Sequence, residues 1–300
     1  MISPPKRHFD DRDGMIWYDG QLVPWRTCTL HVLSHGLHYA SCVFEGERVY
    51  NGHVFKLHEH TERLIASAAA LNFTIPFTTE QIKAATLSLL IANSVQEGYI
   101  RPVAWRGSEM MGIAAKGTNV HLAIAVWDDW VSYFNPESRS RGLRLTVSSW
   151  RRPHPETAPT HAKAAGLYMI CTLSKHQAEQ AGYDDALMLD WRGQIAEATG
   201  ANIFVVFQDT LHTPAPDCIL NGITRQTVIS LARQRGITVI ERTIHLEELA
   251  HASEVFLTGT AAEVAPVRQI GPYSFTAGAI TNELIADYDT VVSHDTETRR

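Results

Sequence analysis

The stretch from Glu197 to Arg225 opens E-A-T-G-A-N-I-F, passes L-H-T at 211–213 and reaches L-N-G-I-T-R at 220–225. Gly222 stands just ahead of a helical pattern. Ile223 and Thr224 then present backbone N–H groups that have no intrahelical partner, at the positive end of a helix dipole. Such an end is an anion site, and the Thr224 hydroxyl adds a donor. Glu197 is followed by Ala198, Thr199 and Gly200, small residues that leave room for a flat ring. Upstream, Lys163 lies in T-A-P-T-H-A-K-A-A-G-L-Y, flanked by Ala162, Ala164, Ala165 and Gly166. Small apolar neighbours desolvate the amine, disfavour its ammonium form and make it a better nucleophile. Taken singly, each feature has a plainer reading: a surface lysine, a solvated strand-end glutamate, an N-cap without a ligand.

Three hundred residues, 45% hydrophobic and 19% charged, make one large domain or two of ordinary size, with ample material for a core. A formal net charge of −6 without a long basic run argues against nucleic acid or an anionic membrane as main partner. Cys28, Cys42, Cys171 and Cys218 include no C-x-x-C pair. They read as free thiols in a reducing compartment rather than a zinc or redox site. Met1 to Asp13 is polar, with Pro4 and Pro5, and lacks the apolar core of a signal peptide. No stretch approaches a membrane span, so a soluble cytoplasmic protein is expected. His31, His35 and His38 have helical spacing, but Val32, Leu33 and Gly36 intervene and no carboxylate is near. No metal is expected there.

Alternation over Met15–Trp25 around Asp19-Gly20, and over Val43–Lys56 around Asn51-Gly52, predicts two hairpins. His58–Leu71 predicts a helix with Leu64, Ile65, Ala68 and Leu71 on one face. Pro76 ends that segment, and Thr79 is the expected N-cap of a helix running to about Gln96. Ile100–Trp105 and Val120–Val126 read as buried strands. Asp128–Gly142 turns polar around Asn135-Pro136 and reads as a linker. The expected division is a small N-terminal domain over 1–127, an interdomain loop over 128–141, and a large C-terminal domain over 142–300. Within the last, Leu143–Ser149 reads as a strand and Ala164–Ala181 as a helix. Three short strands follow up to Thr213, then a helix over Ile223–Arg235 and strands at Ile237–Arg242 and Val255–Thr258. Ser293–Arg300 is expected to fray.

These motifs together resemble the fold-type IV (class IV) pyridoxal phosphate aminotransferases, most of all those acting on branched-chain amino acids. The resemblance covers roughly residues 15–285 on element boundaries good to a few residues. It implies an α/β (α+β) protein of two domains, with pyridoxal 5′-phosphate in the cleft between them. It also implies reversible transfer of the α-amino group of L-leucine, L-isoleucine or L-valine to 2-oxoglutarate. A homodimer or higher homo-oligomer follows by the same resemblance, with small amino acids and 2-oxo acids as the other partners.

Residue by residue, the resemblance makes Lys163 the covalent anchor of the cofactor and the later proton shuttle. It sets Tyr168 against the cofactor's phenolic oxygen and Glu197 at its ring nitrogen. Arg63 in H-E-H-T-E-R-L, Ile223, Thr224 and Thr260 would serve the phosphate. Thr260 and Ala261, in T-G-T-A-A-E after a strand, would hold the substrate α-carboxylate through their amides. The side-chain pocket would draw on Tyr39 and Phe44 in H-Y-A-S-C-V-F-E-G and on Gly46 and Arg48 just after. Tyr99 and Arg101 in Y-I-R-P, Met111 and Ile113 in M-M-G-I, and Trp130 and Tyr133 would complete it. Arg101 with the hydroxyls of Tyr39 and Tyr133 could hold the distal carboxylate of glutamate.

The chain departs from the pattern in places. Ala201 precedes Asn202 where many relatives carry glutamate or a comparable polar residue. Leu167 replaces an asparagine often found before the tyrosine, and W-R-G-S-E-M-M-G differs from a shorter, less polar turn. Rival readings on the same fold are D-amino acid aminotransferase, (R)-amine aminotransferase and aminodeoxychorismate lyase. A catalytically silent pyridoxal phosphate-binding protein is a further rival, opposed by intact Lys163 and Glu197. A nucleotide-binding protein finds no Walker or G-x-G-x-x-G loop to support it.

Overall fold

The computed structural model describes residues 8–129, 133–134 and 136–294. Two compact units divide the chain after residue 130, with 164–166 belonging to the first. The first unit contains β1 (Met15–Tyr18), β2 (Gln21–Pro24), α1 (His35–Tyr39), β3 (Cys42–Phe44), β4 (Glu47–Tyr50), β5 (His53–Val54), α2 (Leu57–Ala70), α3 (Thr79–Asn93), β6 (Gly98–Arg106) and β7 (Val120–Trp127). Its seven-stranded sheet runs β2-β1-β7-β6-β4-β5, with β3 beside β6. Both expected hairpins form. Asp19 and Gly20, and Asn51 and Gly52, all have positive φ, as tight hairpin turns require.

The second helix starts one residue from expectation. Thr78, not Thr79, is the cap, because only Thr78 can accept from the Gln81 amide while the Gln81 side chain returns to the Thr78 N–H. That reciprocal pair satisfies two end donors at once. The helix stops at Asn93, where Ser94 turns left-handed. The buried face of α2 is also rotated from the expected one. It carries His60, Thr61, Leu64, Ser67 and Ala68, while Ile65 is only partly covered. The polar residues face inward because a buried acid meets them. Arg63 Nε donates to Glu45 Oε1 at 2.6 Å, Arg63 Nη2 to Glu45 Oε2 at 2.8 Å, and His60 Nδ1 lies 2.7 Å from the same Oε2.

The second unit contains α4 (Pro136–Arg141), β8 (Leu143–Arg152), α5 (Tyr168–Gln180), β9 (Asp185–Asp190), β10 (Ile195–Ala198), β11 (Asn202–Phe207), β12 (Thr210–Thr213), α6 (Ile223–Gln234), β13 (Val239–Glu241), β14 (Glu254–Gly259), β15 (Glu263–Ile270), β16 (Tyr273–Ser274) and α7 (Ala279–His294). Four strands, not three, lie between α5 and α6. The expected linker carries the short helix α4. Helix α5 begins at Tyr168, four residues later than expected, because Ala164 pairs as an isolated bridge with Val43 and residues 165–167 form a 3-10 turn. Strands β15 and β16 and helix α7 had no clear sequence signal. Six strands in the order β10-β9-β8-β15-β14-β11 close on themselves through a β10–β11 pair. Alternate residues fill this barrel, among them Leu143, Leu145, Leu187, Ile195, Ile203, Val205, Leu257 and Val267. Helices α6 and α7 pack together and cover β14 from outside.

The first unit also holds a second buried acid. Glu47 opens β4, two residues after Glu45, and is 1% exposed. Its Oε2 has no hydrogen-bond partner among the described residues. Burial, and then the charge of Glu45, push the Glu47 carboxyl well above the usual carboxylate range. The folded chain therefore holds this proton more tightly than the unfolded chain does. The resulting stability is present below the ordinary carboxyl range and is lost as pH rises through the raised value. Glu47→Gln keeps the shape and cannot ionise. It should match the parent near pH 5 and be the more stable near pH 8 by about 1–3 kcal/mol, the cost of a buried unsatisfied polar group. Urea unfolding at both pH values checks this, and an equal parent–variant difference at the two would refute it.

Candidate active site

Register in the barrel sets the site in the second unit. Strand β10 pairs Ile195 with Leu189 but Glu197 with Met188, so one extra residue bulges between them. Without that bulge, period-two alternation would send Glu197 into the apolar barrel beside Ile195. With it, Glu197 leaves the interior and faces Asn202, its only register partner across the β10–β11 pair. Asn202 in turn faces Thr258 on β14. Glu197, Asn202 and Thr258 thus form one polar row on the outer face of the barrel. Thr258 Oγ1 is buried and has no hydrogen-bond partner among the described residues.

Glu197 is 8% exposed and is held from several sides. Asn202 Nδ2 donates to its Oε2 at 3.2 Å and to the Leu220 carbonyl at 2.9 Å. Arg152 Nε lies 3.1 Å from its Oε1 and donates to the Cys218 carbonyl at 3.1 Å. Burial raises the Glu197 pKa, while the charges of Arg152 and Lys163 pull it back. Lys163 is partly buried, and its Nζ donates to the Tyr168 hydroxyl at 3.0 Å.

Helix α6 starts as the sequence predicts. Gly222 is its N-cap in extended conformation, with no side-chain cap, and Ile223 and Thr224 are buried in its first turn. Arg225 is 1% exposed. It reaches Asn221 Oδ1 at 2.8 Å, the Pro214 carbonyl at 3.0 Å and Glu241 Oε2 at 2.7 Å. This cation pins the loop that delivers the helix start. The turn bearing Thr260 and Ala261 joins β14 to β15, and the Ala261 carbonyl accepts the Tyr133 amide at 3.4 Å. On the other side of the Glu197 turn, Thr199 Oγ1 donates to the buried Asp185 at 2.6 Å.

The first unit gathers a separate set. The Arg101 guanidinium lies 4.8 Å above the Phe44 ring and 5.4 Å above that of Tyr99. Its Nη2 is 3.4 Å from the Tyr99 hydroxyl, and its Nε is buried without a hydrogen-bond partner among the described residues. Gly46 lets the Tyr99 hydroxyl pass where any Cβ would collide. Arg48 is the register partner of Tyr99 and covers the Tyr50 ring at 4.7 Å. Arg101 also lines an apolar cavity of about 550 Å³ with Val103, Trp105, Leu37 and Ala123. Arg63 is engaged with Glu45 as described above. Burial is opposed by Arg63 and then His60, which hold the Glu45 carboxyl far below the usual range.

Tyr39, Met111 and Ile113 are not drawn into that set. They stand 44%, 43% and 85% exposed, and Tyr39 has ring contacts with His35 and His38. Trp130 lies outside the described residues. Arg152, Asn202 and Glu45 were not singled out as functional from sequence. Asn202 sits inside the deciding motif, while nothing in W-R-R-P distinguishes Arg152 from the exposed Arg151.

The family model of class IV amino-transferases matches residues 42–270, and the chain belongs to that family. Within it, the chain is 42% identical over 294 residues to the branched-chain-amino-acid aminotransferase of Pseudomonas aeruginosa, covering 96% of this chain and 95% of that one. The crystal structure of the branched-chain aminotransferase from the archaeon Thermoproteus uzoniensis with norvaline superposes at a TM-score of 0.90. It is 37% identical, covering 95% and 97% of the two chains. The branched-chain amino acid aminotransferase from Thermobaculum terrenum, in its PLP-bound holo-form, superposes at 0.85. It is 31% identical, covering 94% of each chain.

A Cβ on Gly222 would overlap Asn202 Oδ1, although its φ of −61° suits any residue. Gly222→Ala should therefore cost about 1–3 kcal/mol by overpacking. In an Asn202→Ala background, with the obstructing atom gone, the same change should cost less than half as much. A double-mutant cycle by denaturant unfolding measures the difference, and strict additivity would show that the two residues do not press on each other.

Proposed function

We propose that the protein is a pyridoxal 5′-phosphate-dependent transaminase that moves the α-amino group of L-leucine, L-isoleucine or L-valine to 2-oxoglutarate. The products are the branched-chain 2-oxo acids and L-glutamate. The observation that carries the reading is the Lys163 amine, partly buried, bonded to Tyr168 and within the field of the buried Glu197. The residues fit the cofactor. They offer an amine, a buried carboxylate, a helix start without a side-chain cap, and an orphaned Thr258 hydroxyl. Bound there, pyridoxal phosphate supplies a sink for the electrons of the bond broken at the substrate α-carbon.

The chain's own residues then divide the work. Lys163 would anchor the cofactor and would hold and move the transferred proton at its Nζ. The Tyr168 oxygen accepts from Lys163, and its O–H would donate to the cofactor's phenolic oxygen. Glu197 holds the proton on the ring nitrogen. The Ile223 and Thr224 amides, the Thr224 and Thr260 hydroxyls and Arg63 hold the phosphate. The amides of Thr260 and Ala261 hold the α-carboxylate.

Phe44, Tyr99, Met111 and Ile113 would form an apolar wall suited to branched side chains, beside Gly46 and Arg48; Trp130, read with them from sequence, lies outside the described residues. Arg101, with the hydroxyls of Tyr39 and Tyr133, receives the distal carboxylate of glutamate. Tyr39, Met111 and Ile113 reach a pocket by way of a second copy of the chain, in a homodimer or higher homo-oligomer. Their exposure supports this, as does the apolar surface they share with Leu30, Val32 and Leu37. The two segments of that surface are tied together. The His35 N–H donates to the Gly107 carbonyl at 2.8 Å, and His35 Nε2 lies 3.0 Å from the Gly112 carbonyl oxygen. A cytoplasmic setting is part of the reading, and no helix among the described residues is long and apolar enough to cross a membrane.

Lys163→Ala should abolish transamination yet still bind pyridoxal phosphate through the α6 start and Arg63. Borohydride should then fix no cofactor to the protein, and fixation on another lysine would overturn the assignment. Arg101→Leu should separate the two substrates. Glutamate and 2-oxoglutarate should lose roughly 10- to 200-fold in kcat/KM, the worth of a charge-assisted hydrogen bond of ~1.5–3 kcal/mol. Leucine and its oxo acid should be spared. Single-turnover kinetics on each amino acid decides it, and equal losses on both would place Arg101 in the fold or at the α-carboxylate instead.

A further inference from the structure

Arg152 is 3% exposed and ends β8, away from the motif that marks the site in sequence. Its Nε approaches two groups at once, Glu197 Oε1 at 3.1 Å and the Cys218 carbonyl at 3.1 Å. Asn202 repeats the pattern one step along, joining Glu197 Oε2 to the Leu220 carbonyl. Two side chains therefore stitch the Glu197 carboxylate to the 218–220 segment, which runs through Gly222 into the first turn of α6.

We propose that Arg152 is the positioning residue of the ring-nitrogen carboxylate: it keeps Glu197 ionised and, with Asn202, locks that carboxylate in register with the phosphate-binding helix start. The inference rests on the reading of Glu197 given above. Its physical basis is a balance of terms. A carboxyl buried to this degree favours its neutral form unless a fixed charge opposes burial. Four groups face Glu197 from the elements around it. Arg152 comes from β8, Lys163 from the segment before α5, Arg225 from α6 and Cys171 from α5. The Cys171 thiol is itself pushed up to about 11, chiefly by burial. It is uncharged at neutral pH and offers Glu197 no compensation.

Lys163 would be the reacting amine, so its charge would change in the course of the reaction. Arg225 is committed to Asn221, Pro214 and Glu241. Arg152 is thus the cation that stays charged and adjacent throughout the reaction, since a guanidinium does not deprotonate in proteins. The shared backbone partners give the second half of the proposal. A shift of the 218–220 segment moves the carbonyls that hold Arg152 and Asn202, and so moves Glu197 with the helix start.

The test uses the holoenzyme reconstituted with pyridoxal phosphate isotopically labelled at the ring nitrogen. The nitrogen chemical shift reads protonation directly, and fluorescence titration reads cofactor affinity. Arg152→Gln keeps a donor for the Cys218 carbonyl and loses the charge. Its nitrogen signal should move toward the unprotonated value, and an acid limb should appear in the pH profile of the leucine half-reaction. Its kcat should fall roughly a hundredfold, the scale of one preorganised charge, with KM changed less than about threefold. Arg152→Lys should keep the protonated signal at neutral pH. It should lose that signal between about pH 7 and about pH 10, because a buried ammonium deprotonates readily. This second variant decides the matter even where Arg152→Gln does not fold. Asn202→Ala should weaken cofactor binding roughly tenfold, on the scale of one hydrogen bond, and leave the nitrogen protonated.

A nitrogen signal that stays at the parent value in Arg152→Gln, or that stays flat with pH in Arg152→Lys, overturns the proposal. Glu197→Gln separates the two layers of the reading. If it leaves the nitrogen signal unmoved, the role of Glu197 itself fails. If it moves the signal while the Arg152 variants do not, only the role of Arg152 fails.

Discussion

The single register pair Glu197–Asn202, where β10 meets β11 and the barrel closes, is the contact on which the second unit depends. Six strands can close only if tilt and stagger agree around the ring. Here the last pair also sets a buried carboxylate beside an amide donor. Apolar residues inside the barrel hold the ring from within, and α6 and α7 hold it from without. A one-residue bulge decides to which of these environments Glu197 belongs. Inside the barrel, an acid without partners would be neutral and inert. On the outer face it meets Asn202 and Arg152.

Buried charge is handled differently in the two units. In the first, Glu45 is answered by a forked guanidinium and an imidazole, so its ionised form survives complete burial. Glu47, two residues on, has an oxygen without a hydrogen-bond partner among the described residues, and burial raises its pKa. The two buried acids thus shift in opposite directions, because Arg63 and His60 hydrogen-bond to Glu45. In the second unit, Arg152 and Asn202 hold Glu197 while Arg225 pins the loop leading to α6. These polar networks sit at seams between strands and the turns that leave them. Misplacing any member would strand another without a partner, so geometry and ionisation are set together.

Much of this was legible in the chain. The turns Asp19-Gly20 and Asn51-Gly52 announced their hairpins because few dipeptides tolerate two consecutive positive φ values. Lys163, Glu197 and the Gly222–Thr224 helix start could be read as a set because chemistry demands those residue types and sequence spacing ties them together. Helix α7 and strands β15 and β16 were missed. Their apolar residues are spread between packing partners rather than gathered into one clean stripe. The face of α2 was misread for a related reason: hydrophobicity pointed to Ile65, but the buried Glu45, in the link between β3 and β4, turned His60 and Arg63 toward it. No local pattern encodes that choice.

Sequence alone settled the order along the chain of an amine in small apolar surroundings, a carboxylate and a helix start. It also settled which short segments must be turns or helix starts, because those signals are local and follow from backbone sterics and end-group chemistry. Tertiary structure alone decided the environment of each group. The bulge after Ile195 put Glu197 outside the barrel core, and the end of β8 delivered Arg152, not its exposed neighbour Arg151, to the carboxylate. The same level of structure left Tyr39, Met111 and Ile113 on the surface. Desolvation and Coulomb energy depend on distances between residues far apart in sequence, and only the folded chain sets those distances.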